Sequence, residues 1–476
     1  MPVHKFFDIE LKPQQQLAFS KICDFLENDQ LNVFILKGYA GTGKTTLIGG
    51  VIKWLQDKEK PHRLLATTGR AAKVVSNKTK AQASTIHKAI YTFGGIKGDL
   101  DKLSKMPDDE SNEAKMSLFF GLVELENDVE TVYIVDESSM ISDKETGGNA
   151  FTQFGSGNLL KDLYRFDKRG KFIFIGDPCQ LPPIGQVTSP ALSKEILEKQ
   201  YHLKVDEFEL TEIIRQSDTN GIVLSSFELR KLVETDTDAK FARLPLKNFS
   251  NTIYHINTDA LLQTYIENLK KEGFEDSTLV CHSNEQCAHF NRKIREHLFT
   301  SPEHLHVGDL LMITQNNLKA NLMNGDQVVV LEIGGRQLRA GMSFVKVKVR
   351  ELFGKAEHDV LLIEDILMSN ITNLSRTHQT KLFIDFYDRM RAEEIEQKSD
   401  EFKERMLDDK YLNALRAVYG YALTCHKTQG GEWNNVFLHM DNKIHGMPRP
   451  EIYRWWYTAI TRAKQNLHVV DAWFIN

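Results

Sequence analysis

Two segments in the first third of the chain have residue types and spacing suited to phosphate chemistry. The first, GYAGTGKTT at residues 38–46, fits the pattern GxxxxGK[ST] and lies between an apolar strand-like run and a helical pattern. In such a loop the glycines let backbone N–H groups face a phosphate chain, the lysine supplies positive charge, and the threonine hydroxyl can ligate Mg²⁺. We predict that ATP is bound here by Gly38, Gly41, Thr42, Gly43, Lys44, Thr45 and Thr46.

The second segment, YIVDESSM, ends an apolar strand-like run with two adjacent carboxylates, Asp136 and Glu137. Downstream of a phosphate-binding loop, Asp136 is suited to hold Mg²⁺ together with Thr45, and Glu137 is suited to polarise a water. Adjacent acids at a strand end also occur as ordinary caps, and such a loop can bind a nucleotide without hydrolysing it. The two segments together favour hydrolysis.

Three later residues are suited to act on the terminal phosphate. Gln180 in GDPCQLPPIG can respond to a third phosphate, while LTEIIRQ and YTAITRAK contribute the guanidinium groups of Arg215 and Arg462. Because Arg462 follows a second set of strand-like segments, we expect it to reach the γ-phosphate across a cleft and stabilise transition-state charge. The alternative is an arginine that only caps a helix C-terminus. The accompanying motifs favour catalysis, and a P-loop kinase would have no use for the later ones.

The elements that must position these residues alternate between short apolar runs and amphipathic helical patterns, which is typical of parallel sheets. TVYIVDE and KFIFIGD both end in carboxylates, at the sheet edge where open α/β folds bind ligands. A second alternating set begins near residue 276 and resumes at YGYALTCHKTQG. We therefore predict an α/β chain with two such sheets.

Composition limits the kinds of partner that the chain can attract. The 476 residues carry a formal net charge of -5, so a nucleic-acid site would have to be a local groove. The five cysteines include no CxxC pair, which favours reduced thiols in a cytoplasmic protein. No run approaches the roughly 18 continuous apolar residues that a membrane span needs. We expect no membrane association.

The motifs, in this order along the chain, resemble those of superfamily 1 helicases and, among them, the 5′-to-3′ group, superfamily 1B. They are QQLAF, ATTGRAAKVV, ASTIHK, VDESSM, GDPCQLPPIG, LTEIIRQ, TCHKTQGGEW and YTAITRAK. The last two favour the RecD-like and phage Dda-like members over the Pif1 family. This resemblance implies two RecA-like P-loop domains around Mg²⁺ and ATP, 5′-to-3′ movement on single-stranded DNA, and separation of duplex strands. It also implies that Gln15 reads adenine.

The same resemblance implies two insertions. Residues 91–130 occupy the place of a pin (1B) that splits the duplex, and the Val-rich sequence with NGDQVVV resembles an SH3-like module (2B). The domain limits predicted are 1–218 for domain 1A with its pin, 219–300 and 417–476 for domain 2A, and 301–416 for domain 2B. A charged helical segment at 377–411 is either a solvated helix or a strut that braces the module against the pin, and we favour the strut.

A translocase needs contacts that hold phosphates and release them, a task suited to hydroxyl groups, cations and helix starts. On the first domain the predicted DNA contacts are Thr67, Thr68, Arg70, Ser84, Thr85 and His87. On the second domain they are Thr424, His426, Lys427 and Gln429. Each of these residues alone would more often be a cap or a buried polar group. Phe93 is a candidate for base stacking, and Glu432 is expected to face the nucleotide.

The resulting prediction is a monomeric, ATP-dependent DNA helicase, for which a single-strand-binding protein is a candidate partner. Three alternatives stay open: a translocase that removes bound proteins, an RNA-directed relative, and a nucleotide-gated regulatory subunit with a vestigial ATPase. The presence of Lys44, Glu137, Arg215 and Arg462 argues against the last of these.

Overall fold

The structure is a computed structural model that describes residues 3–105, 116–125, 129–145, 151–212, 220–235, 241–247, 249–317, 319–369 and 371–476. Its strands, in chain order, are β1 Val33–Gly38, β2 His62–Ala66, β3 Ala83–Thr85, β4 Tyr91–Lys97, β5 Ser117–Leu122, β6 Val132–Asp136, β7 Thr152–Phe154, β8 Lys171–Gly176, β9 Val205–Leu210, β10 Thr252–His255, β11 Ser277–Cys281, β12 Leu310–Ile313, β13 Gln327–Arg339, β14 Met342–Glu351, β15 Glu357–Ile363, β16 Ala417–Tyr419, β17 Ala422–Thr424, β18 Trp433–Leu438 and β19 Ala463–Val470.

The α-helices, in chain order, are α1 Pro13–Glu27, α2 Lys44–Asp57, α3 Gly69–Thr79, α4 Ile86–Ile90, α5 Leu100–Ser104, α6 Leu159–Phe166, α7 Lys194–Tyr201, α8 Gly221–Glu234, α9 Thr258–Glu272, α10 Asn284–Leu298, α11 Glu364–Leu367, α12 Arg376–Ala392, α13 Asp400–Asp408, α14 Cys425–Thr428 and α15 Glu451–Ile460. Among the helices described, none is long and apolar enough to cross a membrane.

The first sheet is parallel and has six strands in the order β3-β2-β6-β8-β1-β9. Its central strands read as nearly continuous apolar runs because helices cover both faces, and every residue of β8 is buried. The phosphate-binding loop follows β1, Asp136 ends β6, and Asp177 follows β8. The parallel topology therefore brings these three groups to one edge of the sheet.

The second sheet is also parallel and has the order β10-β19-β18-β11-β17. Arg462 lies between the end of α15 and the start of β19, at the amino end of that strand. The buried side chains around α15 include Trp455 and Trp456, which are 1% and 0% exposed. Both tryptophans are packing residues of this core.

Two antiparallel additions interrupt the parallel sheets. The β-module has the order β15-β14-β13-β12-β16 and is inserted between α10 and β17. The hairpin formed by β4 and β5 lies within the predicted pin, and β7 adds a third strand to it from outside the predicted range. The predicted fold class is confirmed, while the limits of the individual domains stay a prediction.

The charged segment after the β-module forms two helices, α12 and α13, instead of one. On one side, Phe386 and Met390 of α12 pack with Leu100 and Phe151 beside the hairpin. On the other side, Leu382 packs with the β-module. Helix α12 therefore lies between the hairpin and the module, the position expected of a strut.

Candidate nucleotide site and interdomain seam

The loop after β1 has the geometry of a phosphate cradle. Gly41 and Gly43 have φ angles of +81° and +83°, in the left-handed region that favours glycine. A Cβ on Gly38 would lie 2.8 Å from Thr42 Oγ1, so a larger residue would fill the cradle. Helix α2 begins directly at Lys44, which adds the partial positive charge of a helix N-terminus. These residues fit a nucleotide phosphate chain.

Lys44 lies on the loop itself. Its Nζ donates to the carbonyl oxygens of Gly38 at 2.7 Å and Tyr39 at 3.0 Å. The Thr42 hydroxyl donates to the same Tyr39 oxygen at 2.9 Å. The ammonium group is therefore held at the loop by two weak acceptors, for which a phosphate is a stronger substitute. The half-buried Thr45 and Thr46 follow on the first turn of α2.

The side chain of Gln15, the predicted adenine reader, contacts the backbone of the phosphate-binding loop. It is 2% exposed, its Nε2 donates to the Thr42 carbonyl at 3.4 Å, and its Oε1 accepts the Lys12 N–H at 3.1 Å. The neighbouring Gln14 makes two hydrogen bonds with Thr211, just after β9. Its Nε2 donates to the Thr211 hydroxyl at 2.8 Å, and its Oε1 accepts the Thr211 N–H at 3.0 Å. The start of α1 is thus tied to two elements beside the cradle, and the role of Gln14 was missed by sequence reasoning.

The two carboxylates at the end of β6 have distinct environments. Burial, then the adjacent Glu137, raises the pKa of Asp136 to about 7, and Lys44 acts in the opposite direction. Asp136 accepts the Glu137 N–H at 3.0 Å, and Glu137 has a φ of +52°, which is uncommon for a residue with a side chain. A nearby cation would favour the ionised form of Asp136.

The donor set near Asp136 suits Mg²⁺ only in company with other ligands. In the described ranges, no group of three or more His, Cys, Asp or Glu residues could hold a metal ion. Mg²⁺ commonly binds through one or two carboxylates together with substrate phosphates. The residues here fit that mode, with Thr45 and Asp136 as the predicted protein ligands.

Helix α15 joins the second sheet directly to the first. The Tyr457 hydroxyl accepts the Ala40 N–H of the cradle at 3.1 Å and donates to Asp177 at 2.7 Å. The Thr458 hydroxyl accepts the Leu181 N–H at 3.0 Å. We call the contact surface between the first and second domains, of which α15 is one part, the seam. The motif YTAITRAK and the phosphate-binding loop therefore meet.

Polar side chains in the seam retain unused hydrogen-bonding capacity. Gln180 is 3% exposed, and its Oε1 has no partner among the described residues. The same holds for Gln429, whose Nε2 donates to the Leu181 carbonyl at 3.2 Å. Arg454 also binds this loop, donating to the carbonyls of Pro178 and Gln180. Arg454 lies outside the motifs identified in the sequence, so sequence reasoning did not predict it.

Arg462 is 4% exposed and is held by acceptors of the second domain. Its Nε donates to the Thr458 carbonyl at 2.9 Å, Nη1 to the Gly431 carbonyl at 3.3 Å, and Nη2 to the Thr461 hydroxyl at 3.2 Å. The structure thus brings its helix to the cradle while the guanidinium itself stays on its own domain. Arg215, its predicted companion, lies outside the described residues.

Tyr39 is a seam residue that sequence reasoning missed. Its ring lies in the hydrophobic core of the second domain, and the Arg230 guanidinium carbon is 3.4 Å from the ring centroid. Its hydroxyl donates to Glu209 at 2.5 Å. Tyr39 occupies a position of GxxxxGK[ST] where the motif allows any residue, so the motif gives it no role. Its contact with Arg230 of α8 is visible only in the folded structure.

Several predicted DNA contacts on the first domain also have local structural roles. Thr68 caps α3 by accepting the Ala71 N–H at 3.1 Å, and Thr85 caps α4 by accepting the Lys88 N–H at 3.2 Å. The half-buried Thr67 donates to the Glu137 carbonyl at 3.3 Å. Two more predicted contacts, Ser84 and His87, are half-buried, and burial lowers the pKa of His87, whose ring packs on aromatic neighbours.

Two predicted DNA contacts are buried in the seam and face protein. Gln429 is 2% exposed and bound to Leu181, while Arg70 is 6% exposed and stacked on Trp433. Their expected exposure to a phosphate is not seen. Sequence patterns place both residues in the right motifs but do not report which surfaces the domains cover when they meet.

The other predicted contacts of the second domain lie at the edge of this region. Thr424 and His426 are half-buried, and burial lowers the pKa of His426. Lys427 donates to Asn324 of the β-module at 2.5 Å. Glu432, expected at the nucleotide, pairs with Lys78 of α3 at 3.4 Å.

The predicted stacking residue Phe93 belongs to the base of the hairpin. Its ring packs edge-on against Phe120 at 5.5 Å and against the apolar cluster beside α12. Half-buried hairpin aromatics are more often part of a core. The structure therefore places Phe93 among packing residues.

Comparison with known proteins identifies the class of the chain. Residues 10–235 match the model described as AAA domain, which contains the phosphate-binding loop. Residues 419–470 match the model described as UvrD-like helicase C-terminal domain, which contains Arg462. The chain is therefore a P-loop nucleotide-binding protein with a helicase C-terminal domain. This combination supports the predicted helicase.

Relatives with no assigned activity resemble most of the chain. A protein of Acanthamoeba polyphaga mimivirus is 24% identical, and the match covers 95% of this chain and 98% of the relative. A protein of Methanocaldococcus jannaschii is also 24% identical over 92% of this chain, which spans only 36% of that relative.

Among solved structures, a Pif1 helicase from Bacteroides in complex with ADP-AlF3 and ssDNA is 17% identical, with a TM-score of 0.48 and coverage of 98% of this chain and 94% of that one. The Pif1 helicase from Candida albicans is 16% identical, with a TM-score of 0.49 and coverage of 98% and 95%. The preference for RecD-like over Pif1-like members stays a prediction.

Proposed function

We propose that this helicase is an ATP-dependent DNA helicase that moves 5′ to 3′ on single-stranded DNA and separates duplex strands. The observation that carries the proposal is the double contact of Tyr457 with Ala40 and Asp177. A helix of the second domain thus touches both the phosphate-binding loop and the loop that follows β8. Events at the nucleotide phosphates can therefore change the relation between the two domains.

Each polar residue at the cradle has a task in this proposal. The loop amides and Lys44 bind the phosphates, and Glu137 orients the attacking water. Thr45 and Asp136 would hold Mg²⁺, which would supply positive charge beside the phosphate oxygens. Gln180 lies buried in the loop after β8, and its proposed task is to respond to the terminal phosphate. Gln15 fixes the base side of the cradle through Thr42.

Arg462 completes the proposed site from the second domain. Its present acceptors are two backbone carbonyls and a hydroxyl, which are neutral groups. A terminal phosphate offers a stronger, charged acceptor for the same donors. Arg462 then stabilises transition-state charge, and exchange of acceptors links hydrolysis to domain movement.

The hairpin favours strand separation over translocation alone. It packs on the cluster with α12 through Phe93, Ile96 and Leu118, and Arg376 of α12 donates to the Met116 carbonyl at 2.8 Å. A rigidly held hairpin can resist the force of an advancing duplex. This support is the reason to propose unwinding.

The proposal is tested by strand displacement on duplexes with a 5′ or a 3′ single-stranded tail, with ATPase measured with and without single-stranded DNA or RNA. We expect unwinding from the 5′ tail and DNA-stimulated turnover. Unwinding from the 3′ tail only would refute the polarity, and stimulation by RNA alone would refute the DNA substrate.

Two substitutions test the composite site. Lys44→Ala should abolish every ATP-dependent step, because the phosphates lose their charged ligand. Arg462→Ala should still bind a fluorescent nucleotide but lose about 10³-fold or more in turnover, the range seen for arginine fingers. Unchanged hydrolysis in the Arg462→Ala protein would contradict a site shared between the domains.

A further inference from the structure

Arg70 at the start of α3 is unusually enclosed for an arginine. Its guanidinium carbon lies 4.1 Å from the ring centroid of Trp433 and 4.7 Å from that of Phe353. Its Nη1 donates to Gln327 of the β-module at 3.2 Å. A cation of the first domain is therefore held in a planar stack by the second sheet and the β-module.

Gly431 separates Arg70 from Arg462. A Cβ added to Gly431 would lie 2.7 Å from Arg70 Nε and 2.9 Å from its Cζ, so the glycine is in direct contact with the guanidinium. The Gly431 carbonyl accepts from Arg462 Nη1 at 3.3 Å. The backbone N–H of Trp433 donates to the Arg462 carbonyl at 2.9 Å. Gly431 and Trp433 thus each contact both arginines.

The charges at this point are largely uncompensated. Among the described residues, the side-chain hydrogen bonds of both guanidinium groups go to neutral acceptors. Burial lowers the pKa of Arg70 to about 9; Asp326 acts in the opposite direction, and Arg462 lowers it further. Two buried cations that lie close together repel each other, so the favoured position of one guanidinium group depends on the position of the other.

The same helix is clamped to the β-module one turn further along. Lys73 Nζ pairs with Asp326 at 2.7 Å and Glu351 at 3.0 Å. At the N-terminal end of α3, Gly69 packs directly on Met323 of the module. Helix α3 is therefore held on both sides of Arg70, which makes its guanidinium a fixed support.

We infer that Arg70 is a positioning residue for Arg462: through Gly431 and Trp433 it fixes the place from which Arg462 reaches the terminal phosphate. The inference rests on the proposed function of Arg462. It replaces the sequence-based expectation that Arg70 binds a DNA phosphate. It also gives α3 a role in joining the β-module to the hydrolytic site.

The test compares Arg70→Lys and Arg70→Gln in the full chain. Lysine keeps the charge but cannot stack as a planar fork. We expect kcat of DNA-stimulated ATP hydrolysis to fall about tenfold in both variants, while KM for ATP and Kd for an oligothymidylate stay within about twofold of wild type. Because Arg70 acts through Arg462, Arg70→Gln combined with Arg462→Ala should be no slower than Arg462→Ala alone.

Lys80→Gln is the matched control, since Lys80 is an exposed cation at the end of the same helix and should leave all three constants unchanged. A rise in the Kd for oligothymidylate in Arg70→Gln, with full kcat at saturating DNA and normal binding in Arg70→Lys, would overturn the inference. Losses that multiply in the double variant would overturn it as well.

Thermal melting of each variant separates misfolding from mispositioning, and Arg70→Lys carries the test if Arg70→Gln does not fold. The proposed function fails by a different result, namely no DNA-stimulated turnover in the wild type, or full turnover in Arg462→Ala. The two failures are therefore distinguishable.

Discussion

At the level of single residues, Tyr39 joins the phosphate-binding loop to the second domain. Its backbone carbonyl holds Lys44, and its ring is 4% exposed in the core beside α8. The stack with Arg230 adds an attraction between a cation and an aromatic face. One residue therefore contacts both the nucleotide site and the element that must move with it.

Tyr39→Ala should lower the free energy of unfolding by about 3–5 kcal/mol, as expected when a buried aromatic ring is removed. Tyr39→Phe should cost about 1–3 kcal/mol, because it removes only the hydroxyl and its hydrogen bonds to the Glu209 and Glu234 carboxylates. Urea denaturation measures both changes. Tyr254→Phe, at a tyrosine that is 38% exposed, is the control and should change stability by less than about 0.5 kcal/mol. Equal losses for Phe and Ala at position 39 would contradict the role of the ring.

The conformation of the phosphate-binding loop depends on residues that are neighbours in sequence, which a local motif can report. Gly41, Gly43 and Lys44 are adjacent along the chain, so their pattern carries their geometry. The surroundings of Arg70 and Gln429 depend on residues hundreds of positions away. No local pattern reports such contacts, and both residues were expected on an open surface.

At the level of elements, α12 resolves the two interpretations of the charged segment. Its polar residues form ion pairs on its flanks, such as Arg339 with Asp385 at 2.8 Å, while Phe386 is fully buried. Charge dominates the sequence of this segment, so the sequence left a solvated helix open beside the favoured strut. The apolar residues are few but face two partners, so only packing shows that the helix is a brace.

Phe386→Ala should loosen the hairpin without disturbing the nucleotide site. Removal of this fully buried ring, which packs edge-on against Phe402 at 5.1 Å between centroids, costs about 3–5 kcal/mol of local packing. We expect strand displacement to slow markedly, with DNA-stimulated ATPase within about twofold of wild type. Leu407→Ala on α13 is the control, since Leu407 is 47% exposed. Parallel loss of both activities would argue against a separate role for the brace.

A buried ion pair joins α10 to the β-module. Arg295 and Asp309 are 3% and 0% exposed, with Nε and Oδ1 2.8 Å apart, and Tyr421 also donates to Asp309 at 2.9 Å. Asp309→Ala should lower the free energy of unfolding by about 3–5 kcal/mol, because it leaves a buried guanidinium unpaired.

The exposed pair of Lys319 and Asp408, at 2.6 Å, is the matched control for Asp309. Asp408→Ala should cost less than about 1 kcal/mol, since solvent screens this pair. Urea denaturation of both variants compares them directly. Similar losses at the two sites would show that burial does not decide the value of the Asp309 pair.

At the level of the whole molecule, two parallel sheets share the work of one site. Periodicity predicted both sheets because a parallel strand covered on both faces is apolar throughout. The relative placement of the sheets depends on contacts of Tyr457, Thr458 and Gln429 with the loop after β8. The sequence around these three residues does not indicate those contacts. The order of elements was therefore predictable, and the contact between domains was not.

The β-module forms a further link between the two domains. Both of its chain connections lead into the second sheet, yet Lys73 and Arg70 of the first domain hold it from the other side. Any rotation of one domain against the other must therefore strain or break these contacts.

All five cysteines are buried, and Cys179 and Cys425 belong to the seam and to the motif beside it. Burial raises the pKa of the Cys425 thiol to about 12, so a thiol reagent meets neither an accessible nor an ionised sulfur. The rate at which these two native thiols are alkylated would therefore measure how often the two domains separate.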